Sequence, residues 1–363
     1  MKTAFRAAVL AASAGLFASS VSPALADEDH SDGASGINAL DHAPIGVMGD
    51  HRHKKGEWMI SYRLMHMDME GAQIGNNDVD PDTIATTIPN RFFGNPGQPP
   101  TLRIVPTSMR MDMHMAGVMY GVSDRITLMA MANYVTKEMD HITYQGGMGT
   151  TQLGTFRTSP AGFGDTKLAA LIGLSERVHI NAGISIPTGS NTQTDDILTP
   201  MGGTPTVRLP YPMQLGSGTW DLEPGLTYRD QNDQFGWGTQ VRGTIRLGTN
   251  DEGYAYGDRL MATAWVAKSL TPGVAISGRI EAETLGRVDG IDPMIMGPVQ
   301  TANPDFQGGE RVSALAGVNF AVPRGALRGW RLGVEGGLPL LQNLNGPQMP
   351  TEYTVTIGLQ KSF

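Results

Sequence analysis

The sequence predicts an all-β protein, a transmembrane antiparallel β-barrel of about 12 strands with short periplasmic turns and long extracellular loops. Three observations indicate this fold. Segments of alternating apolar and polar residues recur along most of the chain, the links between them are alternately short and long, and the chain ends on one more such segment. In outer-membrane barrels the apolar face of each strand meets lipid and the other face meets the lumen, so this alternation is expected in every strand.

The last segment, residues 351–363, shows the pattern most clearly. On one face of an extended strand lie Tyr353, Val355, Ile357, Leu359, Lys361 and Phe363, and on the other lie Thr354, Thr356, Gly358, Gln360 and Ser362. A strand that alternates in this way and ends on Phe resembles the terminal assembly signal of outer-membrane barrels. We therefore expect Phe363 to lie in the aromatic girdle and its strand to be recognised by the barrel-assembly machinery.

The first 26 residues have the features of a secretory signal peptide. Two basic residues precede an apolar, alanine-rich stretch over residues 7–17, and residues 24–26 (ALA) form an A-x-A cleavage site. The apolar stretch is too short to span a bilayer as a helix. The sequence therefore predicts export, a mature chain that starts near Asp27, and a final location in the outer membrane.

Composition narrows the classes of function. The signal peptide contains two basic and no acidic residues, so its loss reduces the 27 Lys and Arg to 25 against 35 Asp and Glu, a net charge of −10. Nucleic acid is not an expected partner, because a duplex-binding protein needs a basic surface. The chain has no cysteine, which excludes disulfides, thiolate metal sites and cysteine nucleophiles.

Residues 27–56 differ from the rest of the mature chain. They are polar, show little periodicity and contain His30, His42, His51 and His53. We expect this segment to form a periplasmic arm or a partial plug in the barrel mouth, ahead of a barrel over residues 57–363.

Twelve segments of the length that a tilted transmembrane strand needs follow. They lie near residues 57–69, 108–120, 125–138, 164–174, 177–187, 216–229, 235–247, 256–269, 273–286, 310–321, 327–339 and 351–363. Short links at 121–124, 175–176, 230–234, 270–272 and 323–326 alternate with longer ones at 70–107, 139–163, 188–215, 248–255, 287–309 and 340–350. An even number of strands places both termini in the periplasm. The competing fold is a secreted two-sheet β-sandwich, which has no reason to keep this alternation.

Several short phrases resemble one family of outer-membrane proteins. They are residues 41–51 (DHAPIGVMGDH), 55–59 (KGEWM), 119–126 (MYGVSDRI), 164–167 (GDTK), 186–189 (IPTG) and 215–222 (LGSGTWDL). Together they resemble the "MetA-pathway of phenol degradation" transporter family and, more distantly, the long-chain fatty-acid and aromatic-hydrocarbon channels. The resemblance implies a barrel for the passage of small hydrophobic molecules, but it transfers no binding residue.

The 21 methionines cluster in the first three predicted strands, where they alternate with other residues. In strand one the alternate residues make a good lipid face, which directs the methionines and Arg63 inward. Arg242 and Arg246 must also point inward, because a charge that faces lipid at the midplane costs about 2–4 kcal/mol. The predicted channel lining is Met59, Arg63, Met65, Met67, Met129, Met131, Arg242 and Arg246. The inward face of strand two stays open, since charged residues oppose its methionines.

Two functions fit a methionine-rich lumen. Flexible methionines can line an apolar path along which an aromatic or alkyl solute moves. Thioethers together with imidazoles favour reduced copper or silver, so the alternative is a barrel that handles copper or silver ions. The candidate metal ligands are His51, His53, Met65, Met67, Met113, Met115 and His141. Because successive strand residues point to opposite faces, such a site would need neighbouring strands or loops.

Enzymatic chemistry is not expected. The sequence contains no G-x-S-x-G elbow, no H-E-x-x-H zinc helix and no P-loop. A barrel-embedded hydrolase is the second alternative, with His141 as its loop histidine near the outer rim. The sequence thus predicts a channel for small hydrophobic or aromatic molecules that needs no cofactor and whose partners are outer-membrane lipid and the solute.

Overall fold

The structure is a computed structural model that describes residues 38–363. The predicted signal peptide (1–26) and residues 27–37 of the predicted arm lie outside the described residues. The described chain is all-β apart from one short α-helix and a few 3₁₀ turns, and twelve antiparallel strands close into a barrel. The predicted fold class is confirmed.

The barrel strands follow one another around the wall in chain order. They are β1 (Trp58–Glu70), β2 (Ile104–Ser123), β3 (Ile126–Tyr144), β4 (Thr166–Gly173), β5 (Val178–Ile186), β6 (Trp220–Gln231), β7 (Phe235–Leu247), β8 (Arg259–Thr271), β9 (Val274–Leu285), β10 (Gly309–Ala321), β11 (Trp330–Gln348) and β12 (Thr351–Ser362). Each strand pairs antiparallel with its sequence neighbours, and β12 also pairs with β1. That last pairing closes the barrel and leaves no free edge.

Shorter elements occupy the long links. Between β1 and β2 are the strands Gln73–Gly75 and Asn77–Asp78 and the helix α1 (Pro81–Thr87), and the strands Gln152–Thr158 and Ala161–Phe163 continue β4 outward along β3. Thr194–Asp196 pairs with Thr206–Arg208, and Tyr254–Ala255 pairs with Asp289–Gly290. Single 3₁₀ turns lie at Ala39–Asp41, Tyr211–Met213, Gln300–Ala302 and Pro304–Phe306.

The strand boundaries differ from the sequence expectation mainly at the outer end. The predicted link 340–350 is largely strand, because β11 continues to Gln348 and only Met349 and Pro350 separate it from β12. Beyond Gly337 the strand leaves β12, stays paired with β10 as far as Leu344, and also pairs with the short strand Gln73–Gly75. These partners satisfy its backbone groups, so no loop is needed there.

The outward faces of the strands form an apolar band. Leu226 in the middle of β6 lies between Ile180 on β5 and Val241 on β7, and its side chain faces away from the lumen. At the end of the barrel where β1 begins and β12 ends, the Phe363 N–H donates to the Trp58 carbonyl over 2.8 Å. Aromatic side chains there form one rim of the band, as the girdle of a membrane barrel requires. Within residues 38–363, no helix has the length and apolarity needed to cross a bilayer.

Substitution of Leu226 by Arg tests this lipid-facing assignment. Because the charge would have to enter hydrocarbon, we expect Leu226→Arg to lower the free energy of unfolding in lipid vesicles by about 2–4 kcal/mol. Met201→Arg is the matched control, since Met201 is 87% exposed in an outer loop. Urea titrations of both variants measure the effect, and equal stabilities would contradict the assignment.

Candidate functional site

Methionines of three adjacent strands form one wall of the lumen. The β1–β2 register places Met59 opposite Met119 and Met65 opposite Met113, and the β2–β3 register places Met129 beside Met119. The methionines of β2 therefore point inward, which settles the face that the sequence left open. The wall consists of Met59, Met65, Met67, Met69, Met109, Met111, Met113, Met115, Met119, Met129, Met131 and Met139.

The charged residues that alternate with the methionines of β2 point outward and are paired across strands. His66 Nδ1 lies 2.7 Å from Asp112 Oδ1, and Arg110 Nε lies 3.4 Å from Asp68 Oδ2. Each opposite charge reduces the cost of exposing its partner on the outer face. The register of β2 with β1 and β3 therefore determines which face of β2 points inward. The hydrophobicity of β2 alone does not.

The opposite wall of the lumen is charged and ion-paired. Glu223 on β6 contacts both Lys167 and Arg242, with 3.3 Å between Arg242 Nη2 and Glu223 Oε2, and Arg246 pairs with Asp221. The predicted lining residues Arg242 and Arg246 thus lie inside the barrel. Further pairs on this wall are Arg259 with Glu283, Arg279 with Glu281, and Arg279 with Glu335.

Residues 38–57, here called the N-terminal segment, cross the lumen at the end of the barrel where β1 begins and β12 ends. The Ala39 N–H donates to the Pro272 carbonyl in the turn after β8. At the other side of the barrel, Arg52 donates to the carbonyls of Asp124 and Ser175 in the turns after β2 and β4. The segment therefore spans the lumen from one wall to the other.

Between these two ends, the N-terminal segment is held by lumenal side chains of several strands. The Gly46 N–H donates to Glu335 Oε2 over 3.0 Å, and Gln240 donates to the Met48 carbonyl over 3.0 Å. Arg331 donates to the Ala43 carbonyl, and the His53 N–H donates to Thr127 Oγ1 over 2.8 Å. Arg229 also donates to the Leu40 carbonyl, His179 Nε2 to the Gly49 carbonyl, and Asn319 to the carbonyls of His42 and Ala43.

Ile45 of the N-terminal segment packs where two strands lack side chains. Gly333 of β11 and Gly358 of β12 are register partners, and Ile45 is fully buried against them. A Cβ on Gly333 would lie 2.8 Å from Ile45 Cβ, and a Cβ on Gly358 would lie 2.7 Å from Ile45 Cδ1. The two glycines therefore make the inner wall flat enough to seat the segment.

The predicted metal ligands His51 and His53 lie in this segment, and the structure adds two residues to them. One ligand atom from each of His42, Asp50 and His51 lies within 4.8 Å of the others. The His53 ring is 4.9 Å from that of His51. No spacing rule connects His42 with a residue nine positions later, although both belong to the same histidine-containing phrase.

A cavity of about 470 Å³ lies among the outer loops. Its wall is mainly apolar and includes Ile104, Phe156, Ile197, Leu209 and Ile295. His141 also lines it, with its ring stacked on that of Phe156 at 4.5 Å between centroids. The predicted ligand His141 thus lies in the outer cavity, apart from the histidines of the N-terminal segment.

The outer loops around the cavity are packed rather than free. Arg103, fully buried, donates to the carbonyls of Ala85, Gln145, Gly146, Met148 and Gly149, which ties α1 to the link between β3 and β4. Arg208 pairs with Asp292 over 2.9 Å and so joins two further links. A fixed cap of loops therefore shapes the cavity.

The methionine wall connects the outer cavity with the N-terminal segment. Near the cavity, Met109 and Met139 pack with Leu209, which itself lines the cavity. At the other end of the wall, Met59, Met129 and Met131 line a small space beside Met48 and Asp50 of the segment. Between these ends Met65, Met67, Met111 and Met113 are only half-buried although they face inward, so they border open lumen.

The fold of this chain also occurs in a solved outer-membrane protein. No family model matches the chain, and no curated protein matches it in sequence. A crystal structure of an outer-membrane channel from Pseudomonas putida F1 shares the fold, with a TM-score of 0.54 and 13% identity over 87% of this chain and 99% of that chain. This agrees with the distant resemblance to outer-membrane channels that the sequence shows.

Two toluene transporters superpose more loosely. TbuX of Ralstonia pickettii has a TM-score of 0.45 and 14% identity, over 92% of this chain and 96% of that chain. TodX of P. putida has a TM-score of 0.42 and 10% identity, over 86% of this chain and 91% of that chain.

The contact of Ile45 with Gly333 allows the position of the N-terminal segment to be tested. In Gly333→Val the new side chain would collide with Ile45, so we expect the segment to be displaced and the ion conductance in planar bilayers to rise. Gly336→Val is the matched control on the same strand, because a Cβ there meets nothing within 4 Å. If both variants conduct like the unmodified protein, the segment does not obstruct the lumen.

Proposed function

We propose that this protein is an outer-membrane channel for the passive passage of small hydrophobic or aromatic molecules. The observation that carries the proposal is the apolar surface that extends from the outer cavity through packed side chains to the methionine wall and the N-terminal segment. Thioether side chains present an adaptable apolar surface, which suits solutes that differ in shape. This surface makes passage, rather than chemistry, the natural role of this lumen.

The outer cavity supplies a site where a solute could bind first. Its volume of about 470 Å³ is in the range of small-molecule sites. An apolar cavity of roughly 150 Å³ already binds benzene in other proteins, so a one- or two-ring aromatic would fit here. The stacked pair of Phe156 and His141 offers a planar surface for such a ring.

Two polar atoms of the cavity give it selectivity. His141 Nδ1 and Thr158 Oγ1 are buried, line the cavity and have no hydrogen-bond partner. A buried polar atom without a partner costs about 1–3 kcal/mol, and a solute with a hydroxyl group could recover part of this. We therefore infer that hydroxylated aromatics bind better than pure hydrocarbons of equal size.

The N-terminal segment acts in this proposal as a partial plug. It crosses the lumen where the methionine wall ends, so a solute that follows the wall must pass beside Met48 or displace the segment. The anchors of the segment are hydrogen bonds and one ion-paired carboxylate rather than strand pairing. Water can replace these hydrogen bonds more easily than the paired strands of the barrel wall can separate.

The positions of the methionines and of His141 also bear on the two alternatives, copper or silver handling and hydrolysis. Met65 and Met113 are register partners, which is the arrangement of neighbouring strands that a site for reduced copper or silver would need. A hydrolase is less well supported, because Asp140, next to His141 in sequence, is hydrogen-bonded to Arg157 and Ser108 on the other face of β3.

The proposal also includes recognition of Phe363 and its strand by the barrel-assembly machinery.

Replacement of Met65, Met67, Met129 and Met131 by Leu separates solute passage from metal handling. Leucine keeps the apolar wall but removes the sulfur, so we expect the flux of toluene into liposomes to stay nearly unchanged. Growth of a deletion strain that carries the variant, on plates with copper or silver, reports metal handling. Unchanged metal tolerance with a collapse of aromatic flux would eliminate the metal hypothesis.

His141→Phe tests the selectivity of the outer cavity. Phe retains the ring that stacks on Phe156 but cannot form a hydrogen bond, so the preference for phenol over toluene should fall by about 1 kcal/mol, roughly fivefold. Competition between the two solutes in a liposome flux assay measures this. His66→Phe, on the outer face of β1, serves as the control, and an equal loss in both variants would contradict the assignment.

A further inference from the structure

Three histidines and one aspartate of the N-terminal segment meet inside the barrel. The rings of His42 and His51 are 4.4 Å apart between centroids, and those of His51 and His53 are 4.9 Å apart. His42, Asp50 and His53 are all more than nine-tenths buried. This cluster is separate from the outer cavity, and its Asp50 borders the small space at the end of the methionine wall.

The hydrogen bonds of Asp50 fix the orientation of the His51 ring. Asp50 Oδ2 accepts from the Ala43 N–H over 2.7 Å, and Asp50 Oδ1 lies 2.9 Å from His51 Nδ1. An ionised carboxylate can only accept, so Nδ1 of His51 carries the proton and Nε2 carries a lone pair. A carboxylate that holds a histidine in this way is the usual outer partner of a metal-binding imidazole.

Each of the three rings has a buried nitrogen without a partner. These atoms are His42 Nδ1, His51 Nε2 and His53 Nε2. Buried polar atoms are nearly always paired in folded proteins, and three unpaired nitrogens on rings in mutual contact need a shared cause. A bound cation would be such a shared cause, because it accepts a lone pair from each ring at once.

We propose that His42, His51 and His53 bind one divalent transition-metal ion such as Zn²⁺, with Asp50 as the carboxylate that orients His51. Imidazole nitrogens suit Zn²⁺, Ni²⁺ or Cu²⁺, whereas Ca²⁺ and Mg²⁺ prefer oxygen ligands and reduced copper prefers sulfur. Ligand atoms of His42, Asp50 and His51 lie within 4.8 Å of one another, and the His53 ring centroid lies 4.9 Å from that of His51. A bound Zn²⁺ would hold each ligating nitrogen at about 2.0–2.1 Å from the metal.

The ion would fix the N-terminal segment in the lumen. His42 lies near one end of the part that crosses the barrel, and His51 and His53 lie near the other, so one ion would close the loop between them. Gly49, with a φ of 62°, makes the reversal that brings Asp50 and His51 back towards His42. A cross-link of this kind stabilises a loop without any apolar core of its own.

Neighbouring charges set a limit on the affinity. Arg331 and Arg63 are buried close to the cluster and disfavour an added cation. Asp50 opposes them and orients His51 as well. Asp50→Asn should therefore weaken Zn²⁺ binding by about 10–100-fold, the usual effect of losing such a carboxylate.

Zinc binding by the full chain in detergent micelles tests the proposal directly. After treatment with EDTA, isothermal titration calorimetry with Zn²⁺ should give one site per chain, and the double variant His42→Gln/His51→Gln should lose at least about 100-fold in affinity. His66→Gln removes a histidine from the outer face of β1 and should bind like the unmodified protein. Zinc binding that the double variant retains, or that His66→Gln loses equally, overturns the proposal.

Two further measurements keep the result independent of how well the variants fold. Co²⁺ bound to the unmodified protein should show the visible absorption of a four-coordinate site, and its absence overturns the ligand set. Amide exchange of residues 38–53 should slow when Zn²⁺ is added to the unmodified protein but not to the double variant. Equal exchange with and without Zn²⁺ would show that the ion does not fix the segment. None of these readouts depends on solute flux, so they can fail or succeed independently of the channel function.

Discussion

Closure of the barrel between β1 and β12 is the constraint on which the rest of the molecule depends. The pairing of Met59 with Ser362 through Asp68 with Tyr353 joins the first strand to the last. Because side chains alternate along a strand, this register also fixes which face of every strand looks inward. A slip by one residue would turn the methionines of β1 towards lipid and its aromatic residues into the lumen, so the channel lining and the membrane surface are specified together.

The closed wall encloses two unlike surfaces. Three strands contribute methionines, and the strands opposite contribute ion pairs such as Arg242 with Glu223 and Arg279 with Glu335. Pairing compensates these charges inside the barrel. Leu209, which lines the outer cavity, packs against Met109 and Met139 of the methionine wall. The apolar and the charged surfaces therefore lie on different sides of the lumen.

The N-terminal segment completes the lumen without being part of the wall. Gly333 and Gly358 lack side chains and so leave room for Ile45. Polar side chains on several strands bind the backbone of the segment. Its conformation is thus imposed by the barrel rather than by local propensity, which explains why no periodicity marks it in the sequence. The cluster of His42, Asp50 and His51 joins parts of this segment that are eight and nine positions apart, so a bound ion there would link them.

The sequence by itself determined the fold class, the number of strands, the alternation of short and long links up to β11, and the inward direction of Arg63, Arg242 and Arg246. Those features follow from local alternation and from the cost of placing charge in lipid, both of which act within a single strand. The tertiary structure alone decided the inward face of β2, the extension of β11 to Gln348 and the approach of His42 to His51. Each of these depends on partners distant in the chain: the register of β1 and β3, the backbone of Gln73–Gly75, and the lumen wall that folds the N-terminal segment back on itself.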